Sequence, residues 1–137
     1  MYAYAAVSPH EGVLDSLVLP EVNAEAMSIY LEEVSTRHPQ EFILMLLDKA
    51  GWHIAKALKV PENIKLLHLP PYSPQLDPME NIWEEIREKW FPNKVFSSLD
   101  AVIDTLVEAL ITLENDPKRI HKIAGFDWII NISLTAT

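Results

Sequence analysis

The 137-residue sequence contains no cysteine. Disulfide frameworks, thiolate metal sites and cysteine nucleophiles are therefore excluded. No apolar run reaches the ~18–20 residues of a membrane span. The N-terminus has no basic start followed by an apolar stretch, so no export signal is visible, and the expected location is the cytoplasm. There is no internal repeat and no low-complexity segment. Bases are scarce: 11 Lys and Arg stand against 20 Asp and Glu, a formal charge of −9. Taken alone, that balance argues against a protein that coats nucleic acid by charge.

What is present fits one ordinary domain. The chain is 49% hydrophobic and 23% charged, the balance of a globular protein, and long enough to bury a core without cross-links. Its charge is uneven. Residues 1–36 carry no Lys or Arg and six acids, whereas residues 49–94 hold seven of the eleven bases. A net acidic chain can thus carry one mildly basic face, although a solvated mixed surface accounts for the same pattern.

The periodicity alternates. Tyr2–Val7 and Val13–Leu19 read as strands around the turn chemistry of Ser8-Pro9-His10-Glu11-Gly12, a hairpin over 2–19. Asn23 caps a helix to about Thr36, with Met27, Tyr30, Leu31 and Val34 at helical spacing. The run Glu41–Leu47 suits a strand buried on both faces, ending at Asp48. A short helix is expected at 53–59 and a strand at Ile64–Leu69. After a proline-rich loop, Asp77 starts a helix to about Trp90, with Met79, Ile82, Trp83, Ile86 and Trp90 on the core face. The C-terminal helices span 98–130. The longer one carries the stripe Leu99, Val102, Ile103, Leu106, Leu110 and Leu113, and Ser97 with Asp100 reads as its cap. Trp128 reads as a packing anchor for the tail. The order β-β-α-β-α-β-α-α predicts a mixed α/β layer fold.

Two carboxylates stand out by position. Asp48 closes a buried strand, where α/β sheets bind ligands; capping of the next turn is the alternative. Glu80 sits in the first turn of its helix. With Asp77 and Pro78 it makes a capping-box-like start, yet it lies off the apolar stripe and is free to face a cleft. Among the bases, Lys118, Arg119, His121 and Lys122 form a small cluster that suits either phosphate contact or complementarity to a helix C-terminus.

The segment Leu69-Pro70-Pro71-Tyr72-Ser73-Pro74-Gln75-Leu76-Asp77-Pro78-Met79-Glu80-Asn81-Ile82-Trp83 resembles the signature of DDE transposases, those of bacterial insertion sequences related to mariner elements. Leu47-Asp48-Lys49-Ala50-Gly51-Trp52-His53 resembles the family's D-N-A-x-x-H segment. Ala3–Pro9 and Asn23–Ala26 fit its early part, so the resemblance covers residues 2 to about 100.

The resemblance implies a ribonuclease H-like α/β fold, a mixed sheet flanked by helices, and Mg²⁺-dependent (or Mn²⁺-dependent) cleavage and transfer of DNA strands at transposon ends. Asp48 matches the second catalytic, metal-binding Asp and Glu80 the closing catalytic, metal-binding Glu. Lys49, His53, Tyr72, Asp77 and Asn81 are the residues expected to flank the metals or touch DNA. Trp52 and Tyr72 suit stacking on bases, with core or loop packing the commoner use of such aromatics. The chemistry suits the residue types. Phosphodiester cleavage needs a nucleophilic oxygen and a stabilised leaving oxygen, which two Mg²⁺ ions roughly 3.5–4 Å apart supply. Mg²⁺ prefers carboxylate and water oxygens.

The sequence departs from the family in three places. Lys49 and Asp77 stand where the family usually has Asn. The strand bearing the first catalytic Asp, central in the family's sheet, has no counterpart here, nor has the helix-turn-helix DNA-binding region. Asp15, in the second hairpin strand, is a poor substitute. The expectation is therefore a partial catalytic domain, lacking the central strand, with weak metal binding. Unpaired sheet edges recruit partners, so a homodimer or a partner chain completing the sheet is expected. An inactive, self-associating remnant and a stand-alone nuclease remain the alternative readings.

Overall fold

The computed structural model describes residues 1–47, 57–68, 78–93 and 95–125. It is mixed α/β. The elements run β1 (Tyr2–Ser8), β2 (Val13–Leu19), α1 (Ala24–Arg37), β3 (Ile43–Leu47), β4 (Ile64–His68), α2 (Pro78–Trp90), α3 (Leu99–Glu114) and α4 (Pro117–Ala124). Among the described residues the strands form two separate two-stranded sheets, β1-β2 and β3-β4. Two compact units divide the chain. One comprises Met1–Tyr4, Ser16–Ser73 and Thr137, the other Ala5–Asp15 and Pro74–Ala136.

The first unit is built on α1. Asn23 caps it as expected, its side chain accepting the Ala26 N–H at 2.7 Å. The spacing of Met27, Tyr30, Leu31 and Val34 puts one face inward, and Leu31 is wholly enclosed. Against this helix β3 and β4 pair in parallel, with Ile43 opposite Ile64 and Leu47 opposite His68. Their alternation sends Met45 and Ile64 into the core. The other face is not covered as a two-sided strand would be. Leu46 and Leu67, paired in register, are each 40% exposed, and Phe42 before the strand is 72% exposed. The expected short helix at 53–59 is not seen at its described end. Ala57–Lys59 is turn and irregular chain, and 53–56 lie outside the described residues.

The second unit packs α2, α3 and α4 together around Ile82, Leu113, Ile120 and Ala124, all fully buried. Three details differ from the sequence reading. The α3 cap is Ser98, one residue later than Ser97, accepting the Ala101 N–H at 3.1 Å. Trp83 and Trp90 are half-buried rather than core, because Ile82 and Ile86 hold the centre of the α2 face. The last helix ends at Ala124, short of the expected 130, and residues 126–137 lie outside the described residues.

The hairpin turn is fixed on α4. The Gly12 N–H bonds the Ser8 carbonyl at 2.8 Å, and Gly12 has φ +70°, a conformation that L side chains resist. A Cβ there would lie 2.3 Å from the Pro117 carbonyl oxygen. Only glycine permits both the turn and this approach. His121 Nδ1 donates to the Pro9 carbonyl at 3.0 Å.

Tyr4 closes the first unit. It is buried, its ring lies 5.6 Å from that of Tyr30, and its hydroxyl donates to the Glu21 carbonyl at 2.8 Å. Burial raises its pKa above the ordinary 10.0, partly opposed by a hydrogen bond from the Asn23 backbone. A raised folded-state pKa means that the folded chain holds the phenol proton more tightly. The corresponding stability is whole below pH 10 and is lost as pH rises through the folded value. Urea midpoints should therefore fall above pH 10, and Tyr4→Phe should flatten that fall; an unchanged alkaline slope in the variant would refute this assignment.

Candidate functional site

The carboxyl end of a parallel strand pair is where α/β proteins present ligand-binding groups. Here β3 and β4 end level, Leu47 beside His68, and Asp48 is the next residue after β3. Asp48 itself lies outside the described residues, as do Lys49, His53, Tyr72 and Asp77. Of the expected site residues, Glu80 and Asn81 are described. Asp48 falls within the first unit's span and Glu80 within the second's.

What aims the end of β3 is a residue that sequence reasoning missed. Asn63 immediately precedes β4. Its backbone carbonyl accepts the Ile43 N–H at 2.7 Å, which starts β3 opposite Ile64. Its side-chain amide donates to the His38 and Glu41 carbonyls, both at 3.1 Å. Its side-chain oxygen accepts the Ser35 hydroxyl at 2.6 Å. One asparagine thus joins the end of α1, the approach to β3 and the start of β4. A one-residue slip would exchange the faces of β3; these bonds oppose it and so fix where β3 begins and ends. No local pattern marks such a residue, since its partners lie 22 to 28 positions away.

Glu80 is the third residue of α2 and is exposed. The positive end of the helix dipole favours a carboxylate there. Asn81 is half-buried beside it. The helix is anchored at its other end. Arg119 of α4 donates from Nε and Nη2 to Glu85, at 3.1 and 2.9 Å, and its guanidinium lies 5.0 Å over the Trp90 ring. Of the basic cluster seen in the sequence, Arg119 and His121 are thereby engaged in holding α4 to its neighbours, while Lys118 and Lys122 are exposed. Among the described residues no three His, Asp or Glu side chains are grouped to hold a metal ion. No helix among them is long and apolar enough to cross a membrane.

A family described as DDE superfamily endonuclease matches residues 1–103, a span that includes Asp48, Asn63 and Glu80. The chain is similar to an uncharacterized protein, y4pE/y4sA, of Sinorhizobium fredii (strain NBRC 101917 / NGR234), with 38% identity over 128 residues, 93% of this chain and 95% of the relative. No solved structure matches the chain.

Removing the Asn63 amide takes one hydrogen bond from each of the His38 and Glu41 carbonyls and from the Ser35 hydroxyl. Asn63→Ala should cost about 1–2 kcal/mol, read as a lower urea midpoint at an unchanged slope. A midpoint equal to that of the parent chain would show that the network does not hold the register.

Proposed function

The chain belongs to the DDE superfamily of endonucleases, and from that premise we propose that Asp48 and Glu80 are two of the metal-holding carboxylates of a transposase-type DNA-cleaving site. The observation that carries this reading is the family match across both residues, together with the place of Asp48 directly after β3 of the parallel pair. Members of this family act on DNA and use divalent metal ions. The donor set fits such an ion, because carboxylate oxygens are what Mg²⁺ and Mn²⁺ prefer. When bound, the metal supplies a nucleophilic oxygen and stabilises the leaving oxygen of a phosphodiester.

The chain's own residues have separable tasks in this reading. Asp48, next in sequence after a strand whose register Asn63 sets, and Glu80, exposed at the start of a helix clamped by Arg119, each supply carboxylate oxygens. Lys49, His53, Tyr72, Asp77 and Asn81 flank the metals or orient DNA. A third carboxylate completes the family's triad, and Asp15, in the second hairpin strand, is a poor candidate for it. The alternative reading is a chain of transposase type that is inert alone.

Self-association belongs to the same proposal. Parallel strands are ordinarily covered on both faces, whereas Leu46 and Leu67 are exposed side by side. A second copy seated on that face would cover them. Light scattering should then give a dimer that Leu67→Lys converts to a monomer, and a monomeric parent chain would dismiss this part of the proposal.

Calorimetry tests the metal site. Weak Mn²⁺ binding, lost in both Asp48→Ala and Glu80→Ala, is expected, and binding that survives both substitutions would rule the assignment out. A plasmid-nicking assay separates the two readings. Metal-dependent nicking that both substitutions abolish identifies a working nuclease. Metal binding without nicking identifies the inert form.

A further inference from the structure

α3 carries one apolar stripe whose burial stops halfway. Leu110 and Leu113, with Ala109, are enclosed in the core of the second unit. Toward the N-terminus the same stripe opens to solvent. Val102, Ile103 and Leu106 are half-buried, Leu99 is 70% exposed, and Val95 just before the helix is 100% exposed. Leu99 and Leu113 are fourteen residues apart, close to four turns, so they lie on one side of the helix. This end is not frayed, because the Ser98 side chain caps it. A capped helix therefore presents about two turns of aliphatic surface, and such continuous surface marks a docking site.

We propose that the occupant is the chain's own C-terminal segment, residues 126–137. Its composition suits an apolar seat. Phe126, Trp128, Ile129, Ile130, Ile132 and Leu134 make up half of it, and Asp127 is its single charged residue. Its origin is favourable. It follows Gly125, whose N–H bonds the His121 carbonyl at 2.7 Å, at the end of a helix that packs on α3 and whose last residue, Ala124, is fully buried. Its reach is sufficient. Twelve extended residues span up to about 40 Å, against about 24 Å for the sixteen residues of α3. Covalent attachment gives the segment an effective concentration in the millimolar range, which favours it over the same segment of another copy. The segment then acts as a strap along the first two turns of α3, with Trp128 as its anchor.

The absence of native cysteine allows the full chain to be labelled at two chosen points. With spin labels at Val95→Cys and Ser133→Cys, a docked strap gives a short, narrow distance distribution within one molecule, and a long, broad one overturns the proposal. A short distance only between differently labelled copies overturns it in favour of exchange between chains. Independently, Trp128→Asp should speed amide hydrogen exchange across Leu99–Val107 by about tenfold while leaving α1 unchanged. Unaltered exchange in that stretch would refute the strap, and equal acceleration in α1 would show global unfolding rather than release of a docked segment. In that last case the paired labels in otherwise parental sequence decide the question.

Discussion

Asn63 joins three pieces of chain: the end of α1, the approach to β3 and the start of β4. One side chain offers two donors and an acceptor in the right directions, and its backbone adds a fourth bond. Everything that depends on the direction of β3 depends on this network. The register of a two-stranded parallel pair has little else to hold it, since there is no further strand on either side among the described residues.

The second unit relies on charge in the same way that the first relies on a neutral amide. Arg119 is held between a carboxylate and an indole face. The planar guanidinium serves both partners at once, which a lysine ammonium would not. Its location on a short helix is consistent with this duty. Eight residues form too short a helix to be stable alone, so α4 owes its position to its buried face, its Asp116 cap and the two Arg119 bonds to one Glu85 oxygen. The helix carrying Glu80 is steadied from its opposite end, and Glu80 itself stays exposed.

Much of the fold was legible because it is local. The hairpin, α1 with its Asn23 cap, β4 and the extents of α2 and α3 follow from periodicity and turn chemistry read within a dozen residues. The misreadings have a common cause. Whether the apolar run at Ile43–Leu47 is covered on one face or two, and whether Trp83 and Trp90 reach the centre of the core, depend on neighbours distant in sequence. Asn63 and Arg119 could not have been found from pattern, because an asparagine before a strand and an arginine in a basic cluster each have commoner explanations. The candidate site was legible in another way. Its proline-rich signature is long enough to identify a family, and the structure adds the helix turn that bears Glu80 and the strand end that precedes Asp48.

The bond between His121 and the Pro9 carbonyl spans 112 residues of sequence, and the tight approach of Gly12 to Pro117 spans nearly as many. The helix that seats the hairpin turn is synthesised about a hundred residues after it. At about 5–20 residues per second, the turn waits roughly 5–20 s for its partner. During that interval a positive-φ glycine and an apolar hairpin are held by local bonds alone. Completion of the second unit thus waits for the synthesis of α4, and a ribosome that stalls before residue 121 leaves the nascent hairpin for chaperones to shield.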